Sequence, residues 1–226
     1  MYKYLFYSFL MVAFSTLSQV DYYKENAWGS VIWKHQVKPK WNLSVETGYR
    51  TFDQFIQKRR QDFGRMIVDR KLNDNHSVGL GFAYFESYKN NSSVLNPEFR
   101  PFFQYQFTYK KGMSVLGIRY RNEFRYYSAT NTDANRNRLQ LSYEYTTKLS
   151  FLKPKLSVEG FVSNQKIPFV EQRYSVGNTF SFNKALSMYL FYTLQLQSNI
   201  KQNNKLVNQH IIGFQIIVKT AKKDEK

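Results

Sequence analysis

Residues 98–110 read EFRPFFQYQFTYK, and aromatic and polar side chains alternate along them. Aromatic residues occupy the odd positions from Phe99 to Tyr109, with Pro101 among them, while charged, amide and hydroxyl side chains occupy even positions. Only Phe102 interrupts the alternation. Side chains of a β-strand point alternately to the two faces of a sheet. The segment is therefore predicted to be a strand with one aromatic face and one polar face.

Two further segments repeat this pattern, residues 113–127 and residues 136–151. In both, leucine and aromatic side chains share one parity, and arginine, glutamate and glutamine share the other. All three segments are longer than the ordinary strand of roughly 5–6 residues. Weaker alternation predicts eight more strands: 28–37, 41–50, 62–72, 76–86, 155–163, 171–182, 186–197 and 206–219. The alternation is weakest in 62–72, where Ile67 falls among charged residues.

The connections between these segments alternate in length. The short ones are 38–40, 73–75, 111–112, the turn around Pro154, and 183–184, and the long ones are 51–61, 87–97, 128–135, 164–170 and 198–205. This is typical of an up-and-down meander. Single-chain bacterial barrels have an even number of strands, so we predict an all-β, antiparallel up-and-down transmembrane β-barrel of 10 or 12 strands. With eleven candidates, either 28–37 lies outside the wall or residues near 21–26 add a twelfth strand.

The first 18 residues have the layout of a secretory signal peptide. Lys3 supplies a positive charge, an apolar run follows over residues 4–14, and small polar side chains precede a cut before Gln19. The run is short of the roughly 20 residues of a membrane-spanning helix, and the alternatives are a buried core helix or an uncleaved anchor. We predict a cleaved signal peptide at 1–18 and a single barrel domain at 19–226.

The composition of the two faces distinguishes a membrane barrel from a soluble one. A soluble barrel of the lipocalin kind would turn its apolar face inward and a Lys- and Glu-rich face to water. Here the polar face holds Arg, Glu, Gln, Ser, Thr and Gly, which suits a crowded interior. Tyr109 and Tyr126 lie towards strand ends, as in the aromatic girdles of membrane barrels. The pattern favours a monomeric barrel in a Gram-negative outer membrane, with membrane lipid and the barrel-insertion machinery as partners.

The net charge of +17 comes from 33 Lys+Arg against 16 Asp+Glu. Such a charge first suggests nucleic acid, because clustered Lys and Arg release counterions from phosphate. The arginines are instead scattered at alternate positions with glutamates nearby, and no basic helix, zinc finger or RNA-binding sheet signature occurs. The sequence therefore argues against a nucleic-acid partner. Cysteine is absent, which excludes a disulfide framework, a cysteine-based zinc site and a thiol nucleophile.

Charged residues of the polar parity form a ladder that is expected to face the lumen. Because arginine pairs with carboxylates in two-pronged contacts and neighbouring strands bring such groups together, the ladder fits a structural interior of ion pairs. Alternatively, surplus arginine binds an anion or tunes a small pore towards anions. The predicted ladder is Glu46, Arg50, Glu98, Arg100, Arg119, Arg121, Glu123, Arg125, Arg136, Arg138, Glu144, Glu159, Glu171 and Arg173.

Signals for an enzyme are few. His35, His76 and His210 are far apart, and a strand would point His76 and Ser77 to opposite faces. No metal-ligand spacing or phosphate-binding glycine loop occurs, so no metal or cofactor is expected. We predict a non-enzymatic barrel that serves envelope structure or the passive passage of small solutes or anions. The alternative is a lipid-modifying enzyme of the phospholipase or lipid A deacylase type.

The charged ladder also resembles a known family. The segments that carry the resemblance are Glu98 with Arg100, Arg119 through Arg125, Arg136 with Arg138, Trp28, Tyr49-Arg50, and Gln172 through Gly177. Over roughly 28–218 the chain is similar to a family of outer-membrane proteins common in Bacteroidetes, domain of unknown function 2490. The resemblance implies a signal peptide and a β-barrel, and it brings no known activity or catalytic residues. Many outer-membrane barrels end on an aromatic residue, whereas here the last strand runs into Val218-Lys219 and a charged tail.

Overall fold

A computed structural model describes most of the chain as β-strands joined by turns. The described residues are 22–51, 59–89, 93–94, 97–149, 151–164, 170–199 and 205–220. The predicted signal peptide lies outside them, as do the tail at 221–226 and parts of four of the five long connections. Among the described residues, no helix is long and apolar enough to cross a membrane.

The strands follow the alternating segments closely, and all but one contain 11 to 17 residues. The exception is the two-residue β5, which pairs only with the end of β4. The strands are β1 (Tyr22–Lys38), β2 (Trp41–Thr51), β3 (Arg59–Lys71), β4 (His76–Lys89), β5 (Ser93–Val94), β6 (Glu98–Lys111), β7 (Ser114–Tyr127), β8 (Thr132–Tyr145), β9 (Leu152–Ser163), β10 (Val170–Ser181), β11 (Leu186–Asn199) and β12 (Lys205–Thr220).

The wall closes on itself through the first and last strands. Neighbouring strands along the chain pair antiparallel, with β4 pairing directly to β6, whereas β1 pairs with β12 in parallel from Tyr22–Val207 to His35–Thr220. The all-β barrel is thereby confirmed. Within the described ranges its wall has eleven strands, not the predicted ten or twelve, because residues 22–38 form one complete wall strand. An odd number of alternating strands makes the first and last run in the same direction.

The barrel is apolar outside and polar inside. Large apolar side chains point outward along every wall strand, and Leu80 and Phe124 remain 69% and 56% exposed. The two predicted girdle residues, Tyr109 and Tyr126, are also exposed and lie near opposite rims. Since membrane-spanning strands need roughly 9–11 residues, these strands are long enough to cross a bilayer. Every wall strand is paired on both sides, so no sheet edge faces the lipid.

The two residues that broke the alternation both point into the barrel. Ile67 and Phe102 are buried with Phe63, Ala83 and Phe85 in an apolar cluster inside the wall of β3, β4 and β6. The cluster has room because β4 carries Gly81 between Ile67 of β3 and Phe102 of β6. A Cβ added at position 81 would lie 2.2 Å from the Phe102 ring. The interruptions therefore mark an internal apolar patch.

The boundaries on both sides of the connection between β8 and β9 differ from the sequence prediction. Pro154 is not in a turn but lies exposed within β9, opposite Asn178 of β10. Strand β8 ends at Tyr145, so Leu149 and Phe151 belong to the connection to β9 and not to the apolar face of a strand. A hydroxyl fixes this connection, because Thr147 donates to the carbonyl of Leu149 at 2.7 Å.

Candidate functional site

Inward-facing positions on six wall strands, β2 and β6 to β10, carry the predicted charged ladder. All fourteen predicted residues lie on these strands at the parity that faces the lumen. Twelve of them join ion pairs among the described residues. Arg50 and Glu144 have no ion pair there. The twelve are Glu46, Glu98, Arg100, Arg119, Arg121, Glu123, Arg125, Arg136, Arg138, Glu159, Glu171 and Arg173.

Glu123 on β7 is the centre of the network. Arg136 Nη2 and Nε donate to Glu123 Oε2 at 2.6 and 2.8 Å, and Arg138 Nη1 donates to Oε1 at 2.7 Å. The guanidinium nitrogens of Arg100 and Arg121 lie 3.6 and 3.8 Å from the same carboxylate. The Glu123 side chain is only 1% exposed. One buried carboxylate thus holds four guanidinium groups from three strands.

Two arginines connect this centre to the other carboxylates. Arg138 also donates to Glu159 Oε1 at 2.9 Å, which links β8 to β9. Arg100 Nη2 lies 2.8 Å from Glu98 Oε1, and Arg125 donates to Glu98 at 2.5 and 3.1 Å. The pairs therefore form one connected network from β6 to β9, in which Arg100 and Arg138 each join two carboxylates. Such linked, charge-assisted contacts are the stronger kind of hydrogen bond.

Arg119 adds a second link from β7 to β9, and Arg173 extends the network to β10. Arg119 Nη2 donates to Glu159 Oε1 at 3.2 Å. Arg173 Nη1 lies 3.8 Å from Glu159 Oε2, and its Nη2 lies 2.5 Å from Glu171 Oε1. On the opposite side of the barrel, Glu46 pairs with Arg65, a residue that the sequence ladder did not include. Arg65 was missed because it lies on β3, where inward-facing apolar residues lower the contrast of the alternation.

Aromatic rings inside the barrel support the guanidinium groups, a role that the sequence pattern did not predict. The Phe161 ring, 1% exposed, lies 5.1, 4.8 and 4.5 Å from the guanidinium carbons of Arg136, Arg138 and Arg173. The Phe85 ring lies 4.0 Å from that of Arg100. A guanidinium over an aromatic face is attracted by the ring's quadrupole. Strand parity could have predicted that Phe161 points inward, because it lies two residues after Glu159 and therefore on the same face of β9.

Arg50 is held differently from the other members of the ladder. Its guanidinium carbon lies 4.3 Å from the centre of the Trp28 ring and 5.1 Å from that of Phe63. Its Nη1 donates to Gln61 Oε1 at 3.1 Å, and its buried Nε has no hydrogen-bond partner among the described residues. Arg50 therefore brings a positive charge into the lumen without an ion pair to any carboxylate that the structure describes.

A cavity of about 500 Å³ lies within the lumen. It borders the ion-pair network, so the interior is filled only in part. Its size falls within the roughly 300–1,000 Å³ of small-molecule sites. Carboxylates at its surface are only Glu46, Glu159 and Glu171, among the described residues. The cationic side chains that line it are Arg50, Arg60, Arg65, Arg100, Arg119, Arg125, Arg136, Arg138, Lys155 and Arg173.

The three histidines lie away from this cavity. His76 Nδ1 is 2.5 Å from the Tyr105 hydroxyl, and His210 Nδ1 is 2.6 Å from the Tyr192 hydroxyl. His35 contacts Thr220 at the seam between β1 and β12. Each partner is a neighbouring strand's hydroxyl on the outer face. Over the described part of the chain, no three His, Asp or Glu side chains form a group that could hold a metal ion.

A closed wall, an apolar exterior without free edges and a charged lumen together define an integral β-barrel of the outer-membrane class. The location of this class is the outer membrane. The chain belongs to the family described as "Protein of unknown function (DUF2490)", whose model matches residues 25–206. No curated protein matches the chain in sequence.

Solved outer-membrane proteins are similar to this chain at low identity. OmpTdeltaL8, a loop deletion mutant of OmpT of Vibrio cholerae, is 12% identical over 69% of this chain, with a TM-score of 0.43. An anion-selective porin from Comamonas acidovorans is 13% identical over 80% of this chain, with a TM-score of 0.42. The chain spans 56% and 53% of their respective lengths. The NanC porin is 12% identical, with 76% of this chain and 87% of NanC covered and a TM-score of 0.44.

Proposed function

We propose that the protein is a passive, non-enzymatic outer-membrane barrel whose lumen binds and passes small anions. The observation that carries the proposal is the cavity lining, in which ten cationic side chains face three carboxylates. Buried ion pairs account for part of the positive charge. Arg50 and Lys155 have no carboxylate in contact among the described residues, and both line the cavity. Charged side chains that line a narrow pore set the sign of the ion that enters.

The centre of the ion-pair network lies apart from the open space through which anions are proposed to pass. Glu123 and Arg121 are buried in the wall network and do not line the cavity. The arginines that pair with carboxylates hold the strands β6 to β10 together. Several of them also border the open space, where Arg50 and Lys155 add positive charge. One chain forms the whole lumen, so the proposal needs no second copy.

Reversal potentials in planar lipid bilayers test the proposal. Under a potassium chloride gradient, the purified barrel is expected to pass chloride in preference to potassium. Replacing the two unpaired cations together, Arg50→Gln with Lys155→Gln, should reduce this preference. Lys148→Gln is the matched control, since Lys148 is exposed in the connection between β8 and β9 and does not line the cavity. Equal passage of both ions by the folded wild-type barrel would overturn the proposal.

Mass spectrometry of envelope lipids tests the non-enzymatic part. Cells with and without the protein should have the same acylation pattern in lipid A and phospholipids. An altered acyl chain number that depends on the protein would assign it a lipid-modifying activity instead.

A further inference from the structure

The lining of the luminal cavity is chemically divided into two arcs. The cationic arc is formed by the inward-facing residues of β2 to β10 described above. The remaining three wall strands, β11, β12 and β1, are consecutive around the barrel, and none of their side chains that the structure describes adds a charge to the lining. We call this second part the uncharged arc. Its inward-facing lining side chains are Tyr189, Phe191, Thr193, Gln195 and Gln197 of β11, Gln215 of β12, and Trp28 and Ser30 of β1.

Amide and hydroxyl groups of the uncharged arc are held in place by neighbours on the charged side. Gln195 Oε1 accepts from Arg173 Nε at 2.9 Å, and the Thr193 and Ser175 hydroxyls lie 2.7 Å apart. Gln215 Nε2 lies 3.4 Å from Glu46 Oε1. An amide has two donors and an acceptor with two lone pairs. Each of these groups therefore keeps hydrogen-bonding capacity for a ligand after its contact with the wall is made.

Aromatic rings complete the uncharged arc. The rings of Tyr189 and Phe191 stack at 5.3 Å between centroids, with 19° between their planes. They project towards the cavity from β11, where glycine on each flanking strand leaves room for them. A Cβ at Gly213 would lie 2.2 Å from the Phe191 ring, and one at Gly177 would lie 2.7 Å from the Tyr189 ring. The arc thus combines flat apolar faces with donors and acceptors.

From this division we infer that the lumen is built for small polyhydroxylated anions, that is, sugar acids or sugar phosphates. The inference rests on the proposed passage of anions and names the substrate class. A simple anion such as chloride would use only the cationic arc, and a neutral polyol would use only the uncharged arc. Both arcs face one cavity of about 500 Å³. A ligand with an acidic group and several hydroxyls satisfies both at once, with its C–H faces against the rings.

The test compares solutes that differ in one property. Gluconate and hexanoate are both six-carbon carboxylates, but only gluconate carries hydroxyl groups. Measured as bi-ionic reversal potentials in planar bilayers, gluconate permeability is expected to exceed hexanoate permeability by about five-fold, since one or two added hydrogen bonds supply such a factor. A protein-free bilayer corrects for hexanoate that crosses the lipid. Glucose 6-phosphate in place of gluconate shows whether the acidic group is a carboxylate or a phosphate.

Matched variants separate the two arcs. Thr193→Val with Gln197→Leu removes hydrogen-bonding groups from the uncharged arc without changing any charge. This variant should lose the preference for gluconate over hexanoate and keep the preference for chloride over potassium. Arg50→Gln with Lys155→Gln should reduce the chloride preference. Heat-modifiable migration on gels confirms that each variant is folded.

The outcomes of the two proposals are distinguishable. If wild-type protein prefers chloride over potassium but passes gluconate and hexanoate equally, the inferred substrate class is wrong and the proposed anion passage stands. If it shows no anion preference, both fail.

A second measurement does not depend on conductance. Because Trp28 borders the cavity while Trp33 and Trp41 face outward, gluconate should change the tryptophan fluorescence of the barrel and hexanoate should not. Equal responses to both solutes would also overturn the inference.

Discussion

Glu123 is the single residue on which the ion-pair network depends most. Its carboxylate is buried among four guanidinium groups. Removing one partner of a buried pair leaves charge uncompensated, which costs about 3–5 kcal/mol. We therefore expect Glu123→Gln to lower the free energy of unfolding by this amount, measured by urea titration in detergent micelles.

Asp133→Asn is the matched control for this variant, because it makes the same chemical change at an exposed position of β8. A surface change of this kind alters stability by about 0.5 kcal/mol or less. If Glu123→Gln were as stable as the control, water in the lumen would be screening the network and its structural role would be wrong.

Phe161 is the second residue whose contribution to stability can be tested, since its one ring contacts three guanidinium groups. Phe161→Leu keeps an apolar side chain of similar size and removes the aromatic face. We expect a loss of about 2 kcal/mol, as for a cation–π contact away from water. Phe124→Leu, on the lipid-facing side, should change stability by less than about 0.5 kcal/mol. Equal losses in the two variants would show that the ring acts only through its volume.

Among the elements, the seam between β1 and β12 distinguishes this barrel from an even-stranded one. Parallel pairing places His35 opposite Thr220, and their side chains contact at 2.9 Å. The chain has no cysteine of its own. The double variant His35→Cys with Thr220→Cys should therefore form an intramolecular disulfide on mild oxidation, because adjacent strands lie about 4.8 Å apart and disulfides need Cα separations of about 4.4–6.8 Å.

A displaced pair serves as the control for the cross-link. His35→Cys with Ile216→Cys places the thiols four residues out of register, about 13 Å along the strand, where no disulfide can form. Gel migration of the denatured protein with and without reductant measures both. If neither pair cross-links, β1 does not close the wall.

The alternation of side chains was sufficient to predict most elements, because one face of each strand meets lipid and the other meets the polar lumen. Each wall strand from β2 to β12 coincides with an alternating segment, and the fourteen ladder residues have the predicted parity. Ile67 and Phe102 weakened the prediction for the same reason that Phe161 was missed. Only the aromatic parity of each strand was assigned a role, at the lipid, whereas a lumen full of guanidinium groups also needs rings.

Strand number and partner choice were not predictable from local pattern. The pairing of β1 with β12 joins residues about 185 positions apart, from Tyr22–Val207 onward, and no short-range signal specifies its direction. The cavity likewise depends on how all the inward side chains fill the lumen together. Single segments show which side chains enter the barrel but not how much space they leave.

For the whole molecule, the odd strand number places the two ends of the wall at opposite rims. Tyr22 starts β1 at the rim of the long connections, and Thr220 ends β12 at the rim of the short turns. Short turns of such barrels lie in the periplasm. An epitope placed directly before Tyr22 should therefore bind antibody on intact cells, and one placed after Lys226 should bind only after the outer membrane is permeabilised. Binding of both under the same condition would contradict the parallel closure.

The parallel seam also makes the two ends of the wall leave the barrel on opposite sides of the membrane, unlike those of an even-stranded barrel. In an even-stranded barrel a few residues join the two ends, so the chain can be cut and rejoined elsewhere as a circular permutant. Here such a linker would have to cross the apolar band, about 25 Å tall, which takes about eight or more extended residues threaded through the lumen. It would then occupy the same space as a solute. Two domains fused to the ends would instead be held on opposite sides of the membrane, so the barrel is a natural transmembrane connector.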